Sequence, residues 1–282
     1  MKLVRYGRPG KEKPGLIDEE GKLRDLSGVI SGDIGGENLS DKALRKLSKI
    51  PHDTLPVVRG NPRFGVPVAK VGKFIGVGLN YKDHAKEAGM PIPKEPIIFL
   101  KATTSLSGPD DSIMLPKGSK KTDWEVELGI VIGERARNVS AADAEKYIAG
   151  YCVVNDVSER EFQLERGGQW DKGKGCDTFG PVGPWLVTRD EVWDVNKLDL
   201  YLEVNEKRMQ TGSTSDMIFK VPQLVAYISQ FMTLEPGDII ATGTPAGVGL
   251  ARKRYLKKGD FVRLGIAGLG EQQQDVIGYQ EF

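Results

Sequence analysis

Two glutamates stand one residue apart in a segment that otherwise has the composition of a buried strand, residues 123–132 with the sequence DWEVELGIVI. Because side chains alternate between the two faces of a strand, Glu125 and Glu127 point the same way, while the apolar side chains at 126, 128, 130 and 132 line the other face. Two adjacent buried carboxylates repel each other and lose hydration, so the pattern suggests a divalent cation as their partner. A solvent-exposed strand face that carries two acids explains the same spacing equally well.

A third acid, Asp156, ends an apolar segment with the sequence YCVVND at residues 151–156. An acid at the end of a buried strand often faces a site, but it can equally cap a helix that follows. Together with Glu125 and Glu127 it makes a set of three oxygen ligands without sulfur or imidazole. Such a set suits Mg²⁺ or Mn²⁺, with Ca²⁺ as a further option, and argues against Zn²⁺.

His84 is one of two histidines in the chain, and it precedes Glu87 by three residues. Residues three apart on a helix share a face, so Glu87 can orient the imidazole. The pair then has the form of a general base with its orienting acid, for which water would be the nucleophile. The alternative is a solvated surface helix, since Lys82, Asp83 and Lys86 surround His84.

A polar, glycine-rich stretch between residues 159 and 183 contains further candidates. Lys174 has a glycine on either side and can therefore be held where the backbone approaches a ligand closely. Arg160 and Gln163 would share a helix face and could hold a carboxylate or a hydroxyl. A mobile, charged surface loop is the alternative interpretation of the whole stretch.

Two other glycine-rich segments do not match nucleotide-binding motifs. Residues 242–249, TGTPAGVG, lack the Gly-Lys-Ser/Thr that ends a P-loop. The segment GVG at residues 76–78 is followed by Tyr81 where a dinucleotide fingerprint needs its third glycine. Nucleotide binding is therefore not predicted.

The composition argues against several other classes of protein. With 40 basic and 39 acidic residues, the chain has no electrostatic signature of a nucleic-acid-binding or membrane-surface protein. No apolar run approaches the roughly 20 residues of a membrane span, and the first residues, MKLVRYG, lack a signal-peptide core. Cys152 and Cys176 show no metal-ligand spacing, and we expect reduced thiols in a cytoplasmic protein.

Two regions are predicted along the chain. Residues 1–70 read as a small amino-terminal α/β domain with a strand over residues 2–6, a hairpin over 15–26 and a short helix that has Ser40 as its N-cap. A proline-rich connection then leads into a main domain of residues 71–282.

The main domain is predicted to be rich in strands, at residues 74–79, 96–100, 123–132, 151–156, 184–187, 198–204 and 238–242. Helices are expected from about Tyr81 to Gly89, after Ser140 and over residues 221–232. Since the 282 residues include 35 glycines and the helices are few and irregular, the predicted fold class is β-rich α+β and not a doubly wound sheet.

Five sequence blocks, in order, resemble the fumarylacetoacetate hydrolase family between residues 73 and 270. They are residues 78–84 (GLNYKDH), 123–128 (DWEVEL), 155–158 (NDVS), 174–181 (KGCDTFGP) and 236–249 (PGDIIATGTPAGVG). The amino-terminal stretches MKLVRYG and EKPGL are similar to a branch of 2,4-diketo-3-deoxy-L-rhamnonate hydrolases, some of which are named ureidoglycolate lyases.

The resemblance implies a mixed-sheet catalytic domain built around a β-roll, a small amino-terminal domain and a homodimer. It also implies specific roles for site residues. A Mg²⁺ or Mn²⁺ ion would be held by Glu125, Glu127 and Asp156, His84 with Glu87 would activate water, and Lys174 would support the developing oxyanion. Four further positions match residues that hold substrate in the family: Lys101, Arg160, Gln163 and Thr244.

The implied reaction is hydrolytic cleavage of a carbon–carbon bond in a 2,4-diketo acid of the acylpyruvate type, derived from a sugar acid. Water activated by His84 attacks the 4-keto carbon, and cleavage leaves the enolate of pyruvate, whose charge a Lewis-acidic metal stabilises. Decarboxylation of oxaloacetate, isomerisation of a 2-hydroxymuconate-type substrate and ureidoglycolate cleavage could use the same site. A metal- and keto-acid-binding protein without catalysis is a further alternative, which the joint presence of His84, Glu87 and Lys174 disfavours.

We also expect residues 81–87 and 159–174 to form a lid over the metal, because hydrolysis needs a site that closes against bulk water after substrate enters. Glycines at 167, 168, 173 and 175 would act as its hinges. Residues 252–254, RKR, are predicted as either a rim segment of the site or a solvated run of charges.

Overall fold

The computed structural model of the protein describes residues 1–281, and most of its regular structure consists of strands. Within these residues the strands are β1 (Lys2–Tyr6), β2 (Lys13–Ile17), β3 (Leu23–Asp25), β4 (Phe74–Gly78), β5 (Ile97–Lys101), β6 (Leu106–Ser107), β7 (Ile113–Met114), β8 (Thr122–Asp123), β9 (Val126–Ile132), β10 (Ile148–Asn155), β11 (Ser158–Glu159), β12 (Gly180–Thr188), β13 (Asp199–Val204), β14 (Lys207–Ser213), β15 (Ile239–Ala241), β16 (Phe261–Ile266) and β17 (Gly270–Ile277). The α-helices are α1 (Asp41–Leu47), α2 (Lys82–Glu87), α3 (Asp171–Lys174), α4 (Val221–Ile228) and α5 (Gly249–Arg252). The predicted β-rich α+β class is confirmed. None of the helices formed by residues 1–281 is long and apolar enough to cross a bilayer.

The largest sheet has ten strands and curls back on itself. Its strand order is β3-β2-β1-β12-β10-β9-β15-β4-β5, and β6, which follows β5 in the chain, pairs with β12. Strand β15 runs antiparallel to β9 and parallel to β4. One end of the sheet therefore brings together the last residues of β4, β15 and β10 and the first residues of β9.

A second sheet with the order β14-β13-β16-β17-β7 covers one face of the first. The apolar core between them contains Leu128 and Ile130 from β9 together with Leu202 from β13 and Leu264 from β16, all fully buried. Burial of side chains of this size stabilises a fold by roughly 1.5–3 kcal/mol each relative to exposure. This layer fixes β9, which carries Glu127 and directly follows Glu125.

Both faces of β9 are buried. Val126 and Leu128 face the second sheet, while Val131 belongs to a separate apolar cluster on the other side. Glu125 is 5% exposed and Glu127 is 1% exposed. The exposed-face explanation for these two acids is therefore excluded.

The amino-terminal residues extend the largest sheet. Strand β1 pairs with β2 and also with β12, and β2 pairs with β3 to form the predicted hairpin. Helix α1 begins as predicted, with the amide of Ala43 donating to Ser40 Oγ at 3.2 Å. Since sheet pairing and apolar packing both continue across residue 70, the division into domains 1–70 and 71–282 stays a prediction.

Several predicted elements differ from the structure. After Ser140 only a short 3₁₀ turn forms, at residues 144–147, because the chain must enter β10 at Ile148. The reciprocal bonds between Ser140 and Asp143 are present, but no α-helix follows them. Helix α4 ends at Ile228, four residues before the predicted end.

Four strands of the second sheet, β7, β14, β16 and β17, were not predicted. Strand β17 shows why such strands are hard to predict from the sequence. Its residues Gln272 and Gln274 are fully buried although their side chains are polar. Gln272 donates to the carbonyl oxygen of Val153 at 2.7 Å, and Gln274 donates to that of Pro109 at 2.6 Å. Partners so distant in sequence leave no local apolar pattern to detect.

Candidate metal centre and active site

Three acidic side chains converge where β9 begins and β10 ends. Because these strands run antiparallel, with Val126 opposite Asn155, the start of β9 brings Glu125 and Glu127 close to Asp156, which follows β10. One oxygen from each of the three carboxylates lies within 4.8 Å of the others, and the three side chains are buried. The structure thus brings together the residues that the sequence predicted as metal ligands.

The three acids belong to a larger buried cluster of charges. Seven ionisable side chains, none more than 5% exposed, form it: the acids Asp123, Glu125, Glu127 and Asp156 and the bases Lys101, Arg160 and Lys174. When every group is ionised, four negative and three positive charges leave one net negative charge. A divalent cation would change this to one net positive charge, which the carboxylate of a substrate would neutralise.

Each of the three guanidinium nitrogens of Arg160 donates to a protein group. Nε donates to Asp123 at 2.8 Å, and the two terminal nitrogens donate to Glu125 at 2.5 Å and to Gln163 at 2.9 Å. Burial disfavours the charge of Arg160, but Glu125 and Asp123 outweigh it and raise the pKa of the guanidinium. Arg160 therefore fixes a predicted metal ligand and a predicted substrate-binding amide relative to each other.

Two lysine ammonium groups flank Asp156. Lys174 Nζ donates to Asp156 at 2.5 Å and to Glu125 at 2.6 Å. Burial opposes the charge of Lys174, but Asp156 and Glu125 outweigh it and raise the pKa of the ammonium. One of its three protons remains available to a ligand.

Lys101 is the second of these two lysines. Its Nζ donates to Asp156 at 2.6 Å and to the carbonyl oxygens of Lys174 at 2.5 Å and Val157 at 3.2 Å. These bonds use its three protons, and burial lowers the pKa of the ammonium despite the nearby Asp156. The side chain is enclosed by protein and positions Asp156, and the substrate contact of Lys101 stays a prediction.

Among residues 1–281, no lysine, arginine or histidine forms an ion pair with Glu127. It accepts a hydrogen bond from the amide of Gly243 at 2.7 Å. Burial, together with the charges of Asp156 and Glu125, raises the pKa of Glu127 well above its ordinary value. A carboxylate that is buried beside two others and compensated by one amide is suited to bind a cation. The residues therefore fit a hard divalent ion such as Mg²⁺ or Mn²⁺.

Helix α2 carries the predicted base. Tyr81 precedes its first residue, and Gly89, with φ of +65°, follows its end as predicted. Nδ1 of His84 lies 3.4 Å from Glu87 Oε2, and the same carboxylate accepts a bond from the amide of Gly247 at 3.0 Å. Burial opposes ionisation of Glu87, but the bonds from His84 and Gly247 outweigh it and lower its pKa. An ionised Glu87 on Nδ1 leaves Nε2 as the nitrogen available for proton transfer.

The glycine-rich segment 242–249 joins these groups into one site. Its amides at positions 243, 247 and 249 donate to Glu127 at 2.7 Å, Glu87 at 3.0 Å and Asp123 at 2.6 Å. A glycine at 247 is required, since φ there is +109° and a Cβ would lie 2.1 Å from the carbonyl oxygen of Met209. The segment thus positions both the acids and the helix of the base.

Two buried positioning residues were missed in the sequence. Asp123 accepts bonds from Arg160 and from the amides of Gly249 and Leu250. The sequence could have indicated Asp123, because it stands two residues before Glu125 and therefore falls on the same face of the predicted strand. Gln210 accepts from the amide of Val126 at 3.0 Å and donates to Thr244 at 2.8 Å. No local pattern pointed to Gln210, which lies in one of the strands that were not predicted.

A cavity of about 370 Å³, a size typical of small-molecule sites, opens onto the candidate metal centre. His84, Glu87, Lys174, Gln163 and Thr244 line it together with Arg160 and the three acids. The Thr244 hydroxyl donates to the carbonyl oxygen of Val126 at 2.9 Å, so its remaining capacity for substrate is that of an acceptor.

Both segments predicted to form a lid line this cavity. Helix α2 forms one side, and Gln163, Leu164 and Trp170 from the 159–174 segment form another. Leu250 and Ala251 also line it, whereas the basic residues 252–254 that follow them do not, so the rim interpretation of those residues stays a prediction. The opening and closing of the two segments stays a prediction.

The comparison with protein families agrees with this geometry. A family model described as "Fumarylacetoacetate (FAA) hydrolase C-terminal" matches residues 73–277. The chain belongs to the fumarylacetoacetate hydrolase family. A Burkholderia multivorans protein provisionally named a hydrolase is 62% identical over 277 residues, which are 97% of this chain and 98% of that protein.

Solved structures of the fumarylacetoacetate hydrolase family superpose on the whole chain. One is maleylpyruvate hydrolase from Sphingobium sp. SYK-6, in complex with manganese(II) and pyruvate, with a TM-score of 0.83, 30% identity and coverage of 99% of this chain and 100% of that one. Another is 5-carboxymethyl-2-hydroxymuconate delta-isomerase from Mycobacterium smegmatis, with a TM-score of 0.78, 34% identity and full coverage of both chains. Proteins with this family fold therefore include both hydrolases and isomerases.

Proposed function

We propose that this protein is a metal-dependent hydrolase that cleaves the carbon–carbon bond between C3 and C4 of a 2,4-diketo acid. The observation that carries the proposal is that one cavity holds both the three converging carboxylates and the His84–Glu87 pair. The acids are suited to a metal that binds a keto acid, and the pair is suited to activate water. Neither half alone would specify hydrolysis.

Glu125, Glu127 and Asp156 would hold Mg²⁺ or Mn²⁺, which supplies Lewis acidity toward the oxygens of the keto-acid end when bound. His84 takes a proton from water, and the water oxygen forms a bond to C4. The C3–C4 bond then breaks with its electron pair on C3, which takes up a proton. The products are a carboxylic acid and pyruvate, so that RCO–CH₂–CO–COO⁻ and H₂O give RCOO⁻, CH₃–CO–COO⁻ and H⁺.

The remaining side chains have supporting roles. Glu87 stabilises the imidazolium that forms when His84 takes the proton. The free proton of Lys174 and the amide nitrogen of Gln163 can donate to oxygens that gain negative charge. The name of the Sphingobium relative, which records a hydrolase with pyruvate and manganese(II) in its structure, supports a pyruvate-releasing reaction with a divalent metal.

Isomerisation is the second candidate, because the Mycobacterium smegmatis relative is named an isomerase. An isomerase needs a base but no attacking water. The two reactions are separated by isotope incorporation, since only hydrolysis transfers solvent oxygen into the released acid. Decarboxylation of oxaloacetate and cleavage of ureidoglycolate belong in the same assay panel.

The test is turnover of acylpyruvates, oxaloacetate, a 2-hydroxymuconate-type substrate and ureidoglycolate by the purified protein with Mg²⁺ or Mn²⁺, in water enriched in ¹⁸O. We expect acylpyruvate cleavage, ¹⁸O in the released acid and loss of activity after chelation. His84→Ala should lower the rate by roughly 10²–10⁴-fold and keep Mn²⁺ binding in calorimetry. Loss of Mn²⁺ binding in that variant would make His84 a ligand, and an acid product without ¹⁸O would rule out hydrolysis.

Homodimer formation and a cytoplasmic location stay predictions. Light scattering of the purified protein tests the first, and fractionation of the producing cell tests the second.

A further inference from the structure

The cavity is polar at its metal end and apolar on its outer wall. Six large side chains form the outer wall: Leu79, Met90, Phe99, Leu164, Trp170 and Leu250. The indole nitrogen of Trp170 is the one hydrogen-bonding group of ordinary strength among these six. A substrate held at the metal end through its keto acid would place the remainder of its chain against this wall. The wall therefore bears on the chemistry of the acyl group.

Two aromatic rings form part of the wall, and two glycines of β4 make room for them. A Cβ at Gly76 would lie 2.2 Å from the ring of Phe99, and a Cβ at Gly78 would lie 2.5 Å from the ring of Trp170. The two rings meet edge to face, with centroids 5.6 Å apart and planes at 63°. Both rings therefore pack against the backbone of β4, where they form one apolar surface.

The apolar surface continues to the mouth of the cavity. Met90 is 49% exposed and Leu164 is 42% exposed, and both line the cavity. Contiguous apolar surface at a concave site indicates contact with an apolar group of a ligand.

Polar groups that could recognise a hydroxylated or doubly charged tail are scarce at this wall. Among the lining residues that the structure describes, the lysine and arginine side chains are Lys174 and Arg160, and both are bonded to buried acids. Lys174 Nζ lies 5.1 Å from the centre of the Phe99 ring, but its one free proton serves the reacting oxygens in the proposed reaction. A hydroxyl that enters such a wall loses its water without replacement, which costs about tenfold in affinity or more. A second carboxylate would lose more, since its charge would lack a partner.

We propose that the acyl group of the substrate is apolar, either an alkyl chain of several carbons or an aryl ring, and that it is neither a polyhydroxylated sugar remnant nor a second carboxylate. This inference rests on the proposed function and names the substrate class of the same site. It replaces the sugar-derived acyl group that the family resemblance implied. The reaction is the hydrolysis balanced above, with R as the apolar group.

The first test is a series of acylpyruvates assayed on the Mn²⁺-loaded protein. Acetyl-, butanoyl-, hexanoyl- and benzoylpyruvate are compared with a polyhydroxylated acylpyruvate and with succinylpyruvate. We expect kcat/KM to rise about fourfold for each added methylene that the wall buries, and to be at least about tenfold lower for the two polar tails than for butanoylpyruvate. A flat series, or faster cleavage of either polar tail, would overturn the inference while leaving the hydrolase itself intact.

A matched pair of variants locates the effect. Trp170→Ala removes one ring of the wall and should lower kcat/KM about tenfold or more for hexanoyl- and benzoylpyruvate, with a much smaller change for acetylpyruvate. Trp193→Ala is the control, because Trp193 is fully exposed and lines a different surface depression. An equal loss for long and short substrates in Trp170→Ala would show a structural role for the ring and would contradict the proposal.

Calorimetry gives a readout that does not need turnover. We expect 2-oxooctanoate to bind the Mn²⁺-loaded protein at least tenfold more tightly than pyruvate, and a polyhydroxylated 2-oxo acid to bind no better than pyruvate. If no acylpyruvate is cleaved, the proposed hydrolase function fails, and these binding constants alone decide the inference. Equal dissociation constants for 2-oxooctanoate and pyruvate would overturn it.

Discussion

Replacing Glu87 by glutamine isolates one negative charge in the candidate catalytic pair. The glutamine side chain has the same length, and its carbonyl oxygen can still accept the bond from the amide of Gly247. It cannot stabilise a positively charged imidazole at His84, whose Nδ1 lies 3.4 Å from the carboxylate. The variant therefore tests the charge with little effect on the position of α2.

The geometry sets the size of the effect. A hydrogen bond to a charged group contributes about 1.5–3 kcal/mol when it is short and well buried. The distance of 3.4 Å is long for such a bond, and the two side chains are 12% and 22% exposed, which weakens it. About 1.4 kcal/mol is a suitable estimate, so kcat/KM of Glu87→Gln should fall about tenfold.

Asp83→Asn is the matched control. Asp83 lies on the same helix, and its carboxylate accepts bonds from the amides of Ala246 and His84 without contact to the imidazole in the structure. The control removes the same charge next to the same loop, and we expect its kcat/KM to change less than about threefold. Steady-state cleavage of one acylpyruvate by both variants and the wild type is the assay.

The pH dependence of stability gives an independent check. The pKa of Glu87 is lowered, so its ionised form stabilises the folded state at neutral pH. That contribution is lost as the pH falls below the ordinary glutamate value of 4.5 and through the lowered pKa. The difference in unfolding free energy between the wild type and Glu87→Gln, measured by denaturant titration, should therefore shrink from neutral to acidic pH.

Two results would refute the reasoning. Wild-type kcat/KM in Glu87→Gln would remove the carboxylate from the mechanism. An equal loss in Asp83→Asn would show that the general field of the helix matters and not the contact with His84.

Three further changes test other parts of the site. Glu127→Gln should weaken Mn²⁺ binding in calorimetry by on the order of 100-fold or more, because it removes a charged oxygen from the acidic set; unchanged binding would exclude Glu127 as a ligand. Lys174→Met should lower the unfolding free energy of the metal-free protein by about 3–5 kcal/mol, since two buried acids lose their partner, and added Mn²⁺ should recover much of the loss in thermal melts. Gly247→Ala should destabilise the protein by more than about 2 kcal/mol and abolish turnover, because its Cβ would lie 2.1 Å from the carbonyl oxygen of Met209. Gly268→Ala is the control, because Gly268 also has a positive φ but has open space around it. That variant should lose about 1 kcal/mol of stability and keep its turnover.

The sequence by itself determined the chemistry that depends on local spacing. The period of two in a strand placed Glu125 and Glu127 on one face, and the period of a helix placed His84 beside Glu87. The N-cap at Ser40 and the helix end at Gly89 followed from residue type in the same way. These features need no information beyond a few neighbouring residues, which is why they could be predicted.

The tertiary structure decided which of these groups meet and which remain free for a substrate. Gly243 reaches Glu127 across 116 residues of sequence, and Gly247 reaches Glu87 across 160. Lys101 supports Asp156, which local spacing did not indicate, because the folded chain brings three acceptors to its ammonium. Local spacing fixes the face on which a side chain lies, but strand order fixes its partners, and the free energy of a buried charge depends on those partners.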